Sequence, residues 1–112
     1  MATVLLVDDD ELVRRVVTEA LETAGHRVLA AADALSALAV DEPFELAIVD
    51  VHLGSRRCSP LGEELRRRNG DVRVIAMSGL PDEGGYPFAD AVLAKPFAFL
   101  DLYAAVERLT AH

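Results

Sequence analysis

Five short, mostly apolar runs punctuate the chain: Val4–Val7, Arg27–Ala31, Glu45–Val49, Val72–Met77 and Ala91–Ala94. Runs this apolar are covered on both faces, as in a parallel sheet with helices on either side. The stretches between them support that reading. Leu12, Val13, Val16, Val17, Ala20, Leu21 and Ala24 recur at helical spacing, with Asp10 placed to cap the helix and Gly25 to end it. Asp33 opens a small Ala/Leu helix reaching about Val40, and Pro43 closes the turn after it. A further helix is expected around Leu61–Arg68, stopped by Asn69-Gly70, and a last one over Phe99–Thr110 that buries Leu102, Tyr103, Val106 and Leu109. The segment "GLPDEGGYPFAD", rich in Gly and Pro, reads as mostly loop. The expected architecture is therefore α/β, a doubly wound five-stranded parallel sheet. Its 112 residues suit a single domain over residues 1–112.

Composition narrows the partners. With 19 acidic against 11 basic residues the formal charge is −8, the reverse of a surface that neutralises phosphates, so no direct contact with nucleic acid is expected. The basic run Arg66–Arg68 reads as a solvated helix face. No apolar run approaches the length of a membrane span, and the opening "MATVLLV" reads as a natural start without an export leader. Cys58 is the single cysteine, which fits a reducing cytoplasm and an inert thiol.

The strand ends carry the chemistry. In open parallel sheets, sites form beyond the carboxyl ends of the strands. Those ends deliver Asp8 and Asp9, Asp50, Ser78 and Lys95. Carboxylates a few ångströms apart raise one another's pKa unless a cation compensates. Oxygen-only ligands favour a hard divalent ion, Mg²⁺ first. A carboxylate beside such an ion can attack a phosphoryl group, and Lys95, Ser78 and the ion suit neutralisation of the phosphoryl oxygens. Asp10 and Glu11 read as residues of a helix N-terminus, where negative charge is favoured. His26 and His112 have no companions at metal-ligand spacing.

The stretches "VLLVDDDE", "LAIVDVHL", "VIAMSG" and "VLAKPF" together resemble the signature stretches of bacterial two-component response-regulator receiver domains, over essentially the whole chain. The resemblance implies a flavodoxin-like strand order 2-1-3-4-5. It makes Asp50 the phosphoacceptor, with Ser78 and Lys95 assisting. It implies Mg²⁺ held by Asp9 directly, by Asp8 through water, by Asp50, and by the backbone carbonyl of His52. It also implies a cis Lys95-Pro96 bond. Partners implied are a sensor histidine kinase or phosphotransfer protein, an unidentified downstream effector and a homodimer formed on phosphorylation. On this reading the chain is a cytoplasmic signalling receiver rather than an enzyme, catalysing only its own phosphotransfer and dephosphorylation.

The chain departs from the pattern in three places. Val92 stands where many receivers carry a switching aromatic. Only 17 positions separate Ser78 from Lys95, so the helix between the fourth and fifth strands is expected to be missing or reduced. Certain short receivers lacking that helix carry a Phe-Ala-Thr-Gly-Tyr motif, where this chain reads "AMSGL". Residues 79–90 are then expected to order on phosphorylation. The loop "HLGSRRCSP" has Gly54 where proline is common and looks slightly long. Two alternatives compete. Asp8, Asp10, Ser78 and Lys95 also match the motif order of haloacid-dehalogenase-type phosphatases, but those enzymes need a further acidic pair after the lysine, where this chain has only Asp101 and Glu107, both in a helix. A pseudo-receiver would keep the fold without Mg²⁺.

Overall fold

The structure is a computed structural model that describes residues 2–53, 56–57, 59–68, 70–79 and 89–110. The elements run β1 (Thr3–Val7), α1 (Glu11–Thr23), β2 (Arg27–Ala31), α2 (Ala34–Leu38), β3 (Leu46–Asp50), β4 (His52–Leu53), β5 (Arg56–Arg57), α3 (Ser59–Arg68), β6 (Arg73–Ser78), β7 (Ala91–Ala94) and α4 (Phe99–Thr110). One five-stranded parallel sheet has the order β2-β1-β3-β6-β7. That is the 2-1-3-4-5 order implied by the resemblance. Residues 80–88, where the reduced or missing helix and Tyr86 fall, lie outside the described residues, as does Cys58.

Strand alternation builds two cores. Successive side chains point to opposite faces of a sheet. Val4, Leu6, Leu46, Ile48, Ile75, Met77 and Leu93 therefore pack under Val17 and Leu21 of α1 and Leu102 and Val106 of α4. Leu5, Val7, Ala47, Val49, Val74 and Ala76 face the other way, against Ala37 of α2 and Leu61 and Leu65 of α3. Both faces are covered, which is why the runs read as continuously apolar. Each large side chain in these layers contributes about 2 kcal/mol by leaving water.

Local chemistry sets the helix starts. Asp10 Oδ1 accepts the backbone N–H groups of Leu12 and Val13 at 2.9 and 3.3 Å, satisfying donors that a helix N-terminus leaves open. Asp33 caps the five-residue α2 in the same way, taking the Ser36 N–H at 2.7 Å. Gly25, at φ 94°, turns the chain out of α1 where a side chain would be strained.

Several details differ from the sequence reading. Asp50 and Ser78 lie inside β3 and β6, paired with Met77 and Ala94, rather than just after them. The ladder hydrogen bonds continue one residue past the apolar run. α3 begins at Ser59 instead of Leu61, because proline is tolerated in a first helical turn, where its missing N–H costs nothing. Finally, the loop after Asp50 contains an antiparallel pair, His52 with Arg57 and Leu53 with Arg56.

Candidate functional site

Register brings the charged residues together. Val7 pairs with both Ala31 and Val49, so Asp8 and Asp50 stand one step further along neighbouring strands. Asp8 is fully buried and Asp50 nearly so, at 0% and 6% exposure. Ser78 is also buried, and its carbonyl accepts the Lys95 N–H at 2.7 Å. That bond carries the chain from β7 across the end of β6 and delivers the Lys95 side chain to the acidic pair. The Lys95-Pro96 peptide is cis.

Lys95 lies between the two carboxylates. Its Nζ donates to Asp8 Oδ2 at 2.7 Å and to Asp50 Oδ2 at 3.0 Å. The second oxygen of Asp8, Oδ1, accepts the Asp10 N–H at 2.9 Å. Burial pushes the Asp8 carboxyl above its usual value, and the hydrogen bonds from Lys95 and the Asp10 amide only partly oppose it. For Lys95, burial pulls its pKa down, but its bonds to Asp8 and Asp50 outweigh that and leave it above its ordinary value. The ammonium therefore stays charged at neutral pH.

Asp9 is exposed, yet its carboxylate belongs to the same group. Asp8, Asp9 and Asp50 each place one oxygen within 4.8 Å of the others. Three hard oxygen donors on two buried and one open position fit Mg²⁺, which binds through few protein oxygens and keeps several waters. Among the described residues the cluster is made of carboxylates alone, the donor type that hard divalent ions prefer. His52 follows at once in β4, with its backbone two residues beyond Asp50.

The structure thus joins Asp8, Asp9, Asp50 and Lys95 directly and puts Ser78 at the adjacent strand end. Two contributors were not singled out from sequence. The Asp10 amide holds Asp8 Oδ1, and Arg14 donates from a terminal guanidinium nitrogen to the Asp8 carbonyl oxygen at 2.8 Å. Arg14 was legible in principle. It lies four residues after the capping Asp10, which puts both on one helix face.

Such a sheet, with a lysine bridging two buried carboxylates at its carboxyl edge and a third carboxylate beside them, defines an α/β domain built around a compact acidic centre. The chain belongs to the response regulator receiver domain family, whose model matches residues 4–107. The response regulator receiver protein CpdR of Brucella abortus is 29% identical over 116 residues, covering 97% of each chain. The sensor kinase CckA of Brucella abortus is 31% identical over 121 residues, which cover 96% of this chain and 12% of that one. The solved structure of the BeF3-activated DrrB receiver domain superposes with a TM-score of 0.90 at 26% identity, covering 100% of this chain and 99% of the other. Seven curated relatives, CckA among them, are longer, the chain spanning between 11% and 52% of each. The chain is a phosphorelay signal receiver. Among the described residues no helix is long and apolar enough to cross a membrane.

Proposed function

We propose that Asp50 is the phosphoacceptor and that Asp8, Asp9, Asp50 and the His52 carbonyl hold Mg²⁺ beside it. The observation that carries this reading is the shared ammonium: Lys95 reaches Asp8 and Asp50 at 2.7 and 3.0 Å in the same acidic group. A carboxylate attacks phosphorus only if the phosphoryl oxygens are neutralised as they approach. Mg²⁺, when bound, supplies part of that positive charge. Lys95 supplies another part and is free to pass from Asp50 Oδ2 to a phosphoryl oxygen while keeping Asp8. The Ser78 hydroxyl, at the next strand end, donates to a second phosphoryl oxygen and reports the modification.

In the transfer itself a carboxylate oxygen of Asp50 forms the new O–P bond as the P–N bond to a donor imidazole breaks. The imidazole keeps the bonding pair and takes a proton. Hydrolysis returns Asp50 and inorganic phosphate. The donor is the phosphohistidine of a sensor kinase or phosphotransfer protein, in keeping with the kinase among the relatives. The domain, residues 1–112, works in the cytoplasm as a signalling module and not as an enzyme acting on other substrates, with homodimerisation on phosphorylation as its expected response.

The test is chemical. Incubation with Mg²⁺ and a small phosphoryl donor such as phosphoramidate should give a singly phosphorylated species by intact-mass spectrometry. It should be labile to base and hydroxylamine, absent in Asp50→Asn and absent in chelator. A stable adduct, or one that persists in Asp50→Asn, contradicts the assignment.

A further inference from the structure

The β1–α1 turn raises a question that the acidic group alone does not answer. Asp9 is exposed, and metal binding needs its carboxylate presented in one direction. The residue before it is anchored on every polar atom: the Asp8 N–H donates to the Ala31 carbonyl at 3.1 Å, Oδ1 takes the Asp10 N–H, Oδ2 takes Lys95, and the carbonyl oxygen takes Arg14. Three of these four bonds hold the strand end or the side chain. The fourth acts on the peptide that joins Asp8 to Asp9.

We propose that Arg14 is a positioning residue for the cation site, fixing the Asp8–Asp9 peptide and through it the direction in which Asp9 presents its carboxylate. The inference rests on the reading of Asp8, Asp9 and Asp50 as Mg²⁺ ligands. Helix geometry makes the reach natural. Side chains of a helix lean toward its N-terminus. Arg14, whose N–H bonds the Asp10 carbonyl at 3.0 Å, sits one turn into α1 and extends back over the first turn to the strand end. A half-buried guanidinium with fixed fork geometry holds a carbonyl in place better than a freely rotating ammonium. Without it, a strand-end carbonyl seeks another donor, usually water, and the peptide is released to rotate.

Charge and geometry predict opposite signs here, which makes the proposal testable. A guanidinium beside a divalent-cation site opposes binding by Coulomb repulsion. Removing it should tighten Mg²⁺ if charge is all that matters, and weaken Mg²⁺ if Arg14 positions Asp9. Outer partners that orient metal ligands are commonly worth about 10-fold or more in affinity. Mg²⁺ affinity is therefore measured by amide NMR titration of wild type, Arg14→Met, Arg14→Lys and the exposed charge control Arg15→Gln. The expected result is binding about 10-fold weaker in Arg14→Met, partly recovered in Arg14→Lys, and unchanged or slightly tighter in Arg15→Gln. In metal-free samples the Asp10 amide, held by Asp8 Oδ1 at 2.9 Å, should exchange faster in Arg14→Met than in wild type. Should Arg14→Met not fold, Arg14→Gln carries the same comparison. Wild-type affinity or tighter binding in the neutral variants overturns the inference while leaving the cation site standing. No Mg²⁺ response in wild type overturns the site reading and this inference with it.

Discussion

The two edges of the same sheet treat charge in opposite ways. At the amino edge, backbone groups close the strands: the Arg27 N–H donates to the Ala2 carbonyl, Glu45 to Thr3 and Arg73 to Glu45, at 2.9 to 3.1 Å. The ion pair there, Arg27 with Glu42 at 2.7 Å, is more than half exposed on both sides. Water screens it, and such pairs add little to stability. At the carboxyl edge, Asp8 and Asp50 are buried on adjacent strands, and Lys95 shared between them is only a quarter exposed. Buried charge is costly unless it is well paired. The difference teaches that the fold itself does not require charge at a strand end. The acidic edge is what the proposed Mg²⁺ site would use.

Breaking that contrast gives the largest effect at Asp50. Asp50→Asn keeps the shape but removes the proposed nucleophile, so phosphorylation should vanish by mass spectrometry while the amide spectrum stays folded. Removing the shared cation comes next. Lys95→Met leaves Asp8 buried without its ammonium partner and should cost about 2 kcal/mol in urea unfolding, the exposure of Lys95 placing it below the value for a fully buried pair. Adding Asp8→Asn should recover part of that loss, because the unpaired buried charge is then gone.

Mg²⁺ sharpens the same point. At a concentration 100 times its dissociation constant it should stabilise the wild type by about 2.7 kcal/mol, an effect lost in Asp9→Asn. If Mg²⁺ stabilises Asp9→Asn equally, the ion is not held by this acidic group.

A smaller effect compares two carboxylates by pH. Burial raises Asp8 above its ordinary 3.8, whereas the Ser36 backbone and side chain lower the exposed cap Asp33 below the same value. For Asp8 the folded state holds the proton more tightly, so metal-free stability falls as pH rises from 3.8 to the raised value and is level above it. For Asp33 the folded state prefers the charged form, so its contribution is present above 3.8 and is lost as pH falls through the lowered value. Unfolding curves of Asp8→Asn and Asp33→Asn against wild type should therefore differ in slope with opposite sign. The smallest effect belongs to the amino edge, where Arg27→Gln should leave the unfolding midpoint unchanged at high salt.

Much of this was legible in the residues, for physical reasons. Continuous apolar runs specify strands covered on both faces, and Leu5 and Leu6, both fully buried on opposite faces, show why. The site was legible because the carboxyl edge collects whatever ends the strands, and four of those residues meet through Lys95 and the acidic group. What escaped the sequence reading depends on side-chain reach and local pairing. The Arg14 bond to the Asp8 carbonyl needs a helix placed against a particular strand end. The β4–β5 pair falls in a stretch whose sequence reads as loop. Its strands are two residues each, too short for alternation to show. Val92 is 44% exposed on β7.

The central claim is that Asp50, Mg²⁺ and Lys95 form one phosphoryl-accepting centre. Its most direct test is an amide NMR titration with Mg²⁺ followed by beryllofluoride, in wild type and Asp50→Asn. The account predicts Mg²⁺-dependent shifts at Asp8, Asp9 and Asp50, then mimic-dependent shifts extending to Ser78 and Lys95 and into residues 79–90, with the second set absent in Asp50→Asn. A wild type that ignores both ligands, or an Asp50→Asn protein that responds to beryllofluoride as the wild type does, would contradict it.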